Sequence, residues 1–238
     1  MAWSLLSAAA WLVAGATGPT DVPTVTLDWV GIHELALCPP AKDEARLSAA
    51  KAEAEQRLAA FRAAWTKHGP ALLRETRAVV GHPFKFDETL ATLHVCEAHA
   101  DGTSYPLTVN LTLFLKAYGG EYEKHPRAEE LFANLVYHEV LHRYIRDLTG
   151  PGKGEPMRPT RLLAQYSEEN LFTRTHLHLI GVEKLVYKRL GKEEIPATIW
   201  SENRNPAYAR AYTLASEVGP EKIVADLREA AGSGPGER

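Results

Sequence analysis

His138, Glu139 and His142 stand in the order His-Glu-Val-Leu-His within a chain of 238 residues that has ten histidines. Two histidines four positions apart on a helix lie about one turn apart on one face, so both imidazoles reach a single zinc ion. Glu139, one position along, points to the flank of that face, where its carboxylate can accept a proton from a metal-activated water. This chemistry requires a helix, and the flanking sequence predicts one from Pro126 to Thr149. Pro126 takes the first helical position, Glu129 and Glu130 fall in the positive first turn, and Gly150-Pro151-Gly152 stops the run. Leu131, Leu135, His138, His142 and Ile145 then form one stripe, with both histidines expected to face inward among apolar neighbours. Burial favours the neutral imidazole, which is the form a metal binds.

A catalytic zinc takes three protein ligands and a water, so a third ligand must come from elsewhere. The candidates lie on a helix that includes Ser167 to His178, within a helical stretch from Arg161 to Leu190. At about 100° per residue, Phe172, Leu179, Val182, Val186 and Leu190 define its buried face. His176 lies beside that face, with Glu169 and Glu183 on the same line about two turns either way. His178 projects well round from it. His176 is the favoured third ligand, with Glu169 and His178 as alternatives, and a carboxylate not used as ligand would orient an imidazole. Tyr137, Tyr144 and Tyr166 offer hydroxyls to an oxyanion, and Arg210 offers a guanidinium to a substrate carboxylate.

Other segments supply the frame. Thr24 to Val30 reads as a strand. Ala41 to Lys67 reads as a long amphipathic helix, which Gly69-Pro70 breaks before a shorter helix to Val80. The period then changes from helical to alternating. Leu90 to Cys96 is one predicted strand, and Leu107, Val109, Leu111 and Leu113 alternate with Thr108, Asn110 and Thr112 as a second, half-buried one. Tyr208 to Glu217 and Pro220 to Ala231 are two closing helices, followed by a polar tail from 232 to 238. The fold class expected is α+β, helix-rich, with a small antiparallel or mixed sheet beside the HExxH helix, and residues 17–231 form one domain.

From about Leu90 to Leu190 the chain resembles the zincin metallopeptidases, whose HExxH helix follows an edge strand that aligns an extended peptide. Tyr105 to Phe114 stands where that strand would be. The resemblance implies Zn2+ as cofactor, a peptide or protein as substrate, and peptide-bond hydrolysis with Glu139 as general base. It names no subfamily. Ile145 and Leu148 occupy the Gly and His positions of HExxHxxGxxH, which excludes a metzincin. Asn170 follows Glu169, so the NExxxD of thermolysin-like enzymes is absent, although Glu169 as ligand would make the site gluzincin-like. The alternative is a non-enzymatic exported protein in which the same fold binds a metal or a partner. A di-iron site would need a second ExxH, and the chain has none.

Composition narrows the partners. With 27 Lys plus Arg against 30 Asp plus Glu, the net charge of -3 gives no basic excess for nucleic acid or an anionic membrane. Residues 1–16 read as a signal peptide: residues 3–14 are an apolar run too short to span a bilayer, and Ala14-Gly15-Ala16 has the small-x-small form of a cleavage site. Export to the periplasm or outside the cell is therefore expected, with no membrane span in the mature chain. The two cysteines, Cys38 and Cys96, suit an oxidising compartment, where they can form one bridge or stay as buried thiols.

Overall fold

The computed structural model describes residues 22–29, 38–97, 102–150, 159–202 and 205–232. The signal-peptide reading of residues 1–16 and the tail after Gly232 lie outside them. Helix α1, Glu44–Val80, starts at Asp43, whose side chain accepts from the Arg46 N–H, and stops at Gly81, whose φ of 78° is the left-handed geometry glycine adopts without strain. At 37 residues it runs unbroken through Pro70, so the expected break at Gly69-Pro70 does not occur. Pro70 removes one backbone hydrogen bond, but tertiary contacts hold the helix on both sides of it. Arg62 donates to the Leu27 carbonyl and to Asp28, and Thr76 shares a 2.6 Å hydrogen bond with Tyr137. Gly69 serves packing here: a Cβ on it would lie 2.5 Å from the Trp65 indole, which folds across this point.

Strands β1 (Thr24–Trp29), β2 (Glu88–His94), β3 (Gly102–Ser104) and β4 (Leu107–Asn110) form one mixed sheet in the order β1-β2-β4-β3. β1, β2 and β4 run parallel, and β3 pairs antiparallel with β4 through Gly102↔Val109, Thr103↔Thr108 and Ser104↔Leu107. The strand expected to be half-buried at an edge, Tyr105 to Phe114, is thus corrected twice. Its Leu107–Asn110 part is interior and buried at every residue, and the three-residue β3 is the edge. Polar Thr108 and Asn110 misled the alternation reading because their hydrogen bonds are met inside the protein. Thr108 bonds Thr103 at 2.8 Å, while Asn110 accepts from the Cys96 N–H at 3.2 Å and donates to the Cys96 carbonyl at 2.9 Å. Beyond Asn110 the chain turns into two 3₁₀ segments, Thr112–Phe114 and Lys116–Tyr118, so Leu111 and Leu113 belong to no strand.

Helix α2, Ala128–Thr149, carries the HExxH residues; it begins two residues after Pro126, with Arg127 as its cap and Glu129 and Glu130 in its first turn. Then follow α3 (Arg161–Ala164), α4 (Leu171–Arg189), α5 (Glu194–Glu202), α6 (Pro206–Val218) and α7 (Pro220–Gly232). The stretch Arg161 to Leu190 is two helices, and α5 was not foreseen. α2 packs on α1 and the sheet end formed by β3 and β4, and α4 packs on α1, α6 and α7. One core joins the helices to the sheet, and the architecture is helix-rich α+β. Cys38 and Cys96 are bridged, tying the chain before α1 to the end of β2. Among the described residues no helix is long and apolar enough to cross a membrane.

Candidate metal centre

α2 is buried nearly all round, and both of its histidines lie within the protein as expected, although on the less deeply packed side of the helix. Leu131, Val136, Tyr137, Val140, Leu141, Tyr144 and Ile145 are fully buried. Leu135, His138, Glu139, His142, Arg143, Arg146 and Asp147 form the more open stripe, with His138 5% and Glu139 4% exposed and His142 half-buried. A site that must admit a ligand needs this side of the helix.

α4 brings His176 to that stripe. The imidazole nitrogens of His138, His142 and His176 lie within 4.8 Å of one another, close enough to hold one metal ion. The hydrogen bonding of His176 decides its tautomer: Nδ1 lies 2.7 Å from the Phe172 carbonyl, which only accepts, so Nδ1 carries the proton. Its Nε2 is then a bare lone pair, buried and without a hydrogen-bond partner among the described residues. Burial, with His138 alongside, pushes His176 down to about 3 against the opposing pull of the Phe172 carbonyl. His142 is held well below its ordinary value by burial and by the other two imidazoles. Neutral nitrogens converging from two helices are the donor set of a metal centre.

The surroundings orient these ligands. Fully buried Glu183 on α4 places Oε1 3.9 Å from His138 Nδ1, on the far side of that ring from the nitrogen left for a metal. Glu183, the carboxylate on the His176 line, thus stands beside the His138 ring at a separation longer than a hydrogen bond. The Phe172 ring stacks on His176 at 4.2 Å between centroids, and Tyr208 of α6 packs against His176 and Phe172, each at 4.5 Å. Glu139 lies against the edge strand so closely that a Cβ on Gly102 would sit 2.6 Å from its Oε1. Phe172, expected on the buried face of α4, is 37% exposed and forms a wall of the site.

The alternative ligands are elsewhere. Glu169 accepts from both Nε and Nη2 of Arg210, which also lies 3.6 Å from Glu217, so neither Glu169 nor Arg210 faces the histidines. His178 is fully buried and bonds Asp226 of α7 at 2.8 Å and Thr160 at 3.4 Å. Tyr137 bonds Thr76, and Tyr144 donates to the His82 carbonyl at 2.7 Å, so both are structural. Sequence reasoning missed Tyr208 and Gly102 as site residues. Neither carries a spacing signal: α6 and β3 meet α2 only through the tertiary fold. Among the described residues this histidine trio is the one group arranged to hold a metal.

Compared with known proteins, the chain matches no family model, no curated protein and no solved structure.

Proposed function

We propose that this chain is an exported zinc-dependent peptidase of zincin type, with His138, His142 and His176 as ligands and Glu139 as general base. The observation that carries the reading is the buried, unpartnered Nε2 of His176, facing two HExxH imidazoles with Glu139 beside them. Three imidazole nitrogens without a protein thiolate suit zinc in an open catalytic site. A zinc ion there supplies a Lewis acid for the scissile carbonyl and lowers the pKa of its water to about 7.

The rest of the reaction falls to the chain's own residues. Glu139 takes a proton from the attacking water on its carboxylate and delivers it to the leaving amine as the C–N bond breaks. Glu183 stands beside the His138 ring, its Oε1 3.9 Å from Nδ1, and the Phe172 carbonyl fixes the His176 tautomer. β3, the sheet's edge beside Glu139, offers unpaired backbone groups to which an extended peptide can add as a further strand. The resemblance to zincins assigns this role to an edge strand, and β3 fills it in place of Tyr105 to Phe114. The Cys38–Cys96 bridge suits the oxidising compartment that export implies.

The test combines metal content with turnover. Elemental mass spectrometry should find about one zinc per wild-type chain, lost in His138→Ala. Glu139→Gln should keep its zinc and lose peptide hydrolysis by a factor on the order of 10²–10⁴. Undiminished hydrolysis by Glu139→Gln removes the mechanism. Zinc held by four protein ligands without hydrolysis points to the non-enzymatic alternative.

A further inference from the structure

The open stripe of α2 does not end at His142. Arg143 and Arg146 continue it towards the helix C-terminus, half-buried, while Tyr144 and Ile145 between them are fully buried. The edge strand runs alongside in the same direction. Gly102 meets Glu139, and Tyr105, one residue past the end of β3, lies beneath the Arg146 guanidinium, 4.3 Å from its ring centroid. The seam between α2 and β3 therefore has a polarity, with the general base at one end and an arginine-covered tyrosine at the other, three residues or about 10 Å further along the chain.

Arg143 donates to Thr89 Oγ1 at 2.9 Å, lies 3.9 Å over the Phe86 ring, and comes within 4.0 Å of Asp147 Oδ2. Lys85 donates to the Asp147 backbone carbonyl and so leaves that carboxylate to the arginines. Asp147 and both arginines all lie within electrostatic reach of the Tyr105 phenol. Arg143 thus approaches the Asp147 carboxylate and Lys85 its backbone carbonyl, and among the described residues no carboxylate is ion-paired to Arg146. Tyr105 is 49% exposed and Arg146 half-buried, so the stacked pair lies at the protein surface. A guanidinium supported on an aromatic face keeps its planar N–H fork available, and that fork matches a carboxylate bidentately.

We propose that the stacked Tyr105–Arg146 pair, in line with Gly102 and Glu139, is a subsite for a substrate carboxylate. The substrates are then peptides that present an acidic side chain, or a free C-terminal carboxylate, about three residues from the bond cleaved. This rests on the peptidase reading above and adds the substrate class to it.

Binding to the full-length, zinc-loaded Glu139→Gln protein tests the subsite without turnover. The probes are short fluorescent peptides capped at both ends, with Glu, Gln or Lys scanned through each position, together with the Gln series left with a free C-terminal carboxylate. At one position Glu should bind about tenfold or more tighter than Gln, and Lys more weakly still. In the background of that protein, Arg146→Gln should erase the preference, Arg146→Glu should reverse it towards Lys, and Arg146→Lys should keep part of it with zinc content unchanged. Tight binding of the uncapped Gln peptides at one length marks the carboxylate as the chain terminus, whereas the internal Glu signal marks it as a side chain. Equal binding of Glu, Gln and Lys peptides, or a Glu preference that survives Arg146→Gln, overturns the subsite and leaves the peptidase reading standing. Binding of none of the peptides overturns both.

Discussion

His176 and His178 sit two residues apart on α4 and belong to different chemistries. Two residues are about 200° of helix, so the rings leave the axis on nearly opposite sides. His176 meets α2, and its Nδ1 is occupied by its own helix's Phe172 carbonyl, which leaves Nε2 for a ligand from outside the protein. His178 meets α3 and α7 and finds Thr160 and Asp226 there. Burial pushes Asp226 up, but hydrogen bonds from His178, Thr160 and the Leu162 N–H outweigh it and hold the carboxyl below its ordinary range. Each histidine keeps one buried nitrogen without a hydrogen-bond partner among the described residues, Nε2 of His176 and Nδ1 of His178, and what separates them is the company: only His176 stands with two further imidazoles close enough to share a metal ion.

Substitution separates the two most sharply. His176→Ala should weaken zinc binding by two orders of magnitude or more, on the order of the loss expected from an open three-ligand site, with zinc titration as the readout. His178→Ala should leave zinc stoichiometry intact and instead destabilise the fold by about 3 kcal/mol, roughly 6–12 °C in Tm, because Asp226 loses its buried partner. Zinc loss in His178→Ala with an unchanged Tm would erase the distinction. Glu183→Gln sharpens it within the metal side: a carboxylate that orients His138 should be worth about 10–100-fold in zinc affinity.

Smaller effects test the flanks. Gly102→Ala should push the Glu139 carboxylate out of place and lower hydrolysis about tenfold while zinc stays bound; unchanged hydrolysis would mean that Glu139 can shift without cost. Glu130, at the far end of α2 from Arg146, offers a purely structural contrast. Hydrogen bonds from Arg127 and Lys192, working against burial, bring it down to about 2. Its folded value lies below the ordinary 4.5, so its contribution to stability is complete above about 4.5 and fades as pH falls towards 2. Tm of Glu130→Gln should lie a few degrees below wild type at pH 6 and converge with it near pH 2–3. An equal gap at both pH values would assign the loss to packing instead.

Local patterns were readable wherever the cause was local. The α2 stretch announced itself through acidic first-turn residues, the HExxH spacing and the Gly150 stop, because caps and i,i+4 pairs depend on neighbours in sequence. Reading failed where a distant partner satisfied a polar group or filled a gap. Gly69-Pro70 looked like a break because Trp65, Arg62 and Thr76 hold α1 together from outside the dipeptide. Thr108 and Asn110 looked solvated because their partners, Thr103 and Cys96, are remote in pattern though close in space.

The sequence by itself determined the donor types, the two imidazoles on one helical face, the carboxylate at their flank and the helix-rich α+β class. Periodicity and residue chemistry suffice for those. Only the tertiary structure decided that His176 joins the pair while Glu169 turns to Arg210 and His178 to Asp226. It also made the edge strand β3, with Gly102 against Glu139, and set Tyr208 beside the histidines. The physical reason is that a helix offers every side chain some direction, and what stands in that direction depends on how whole elements pack, which no local spacing encodes.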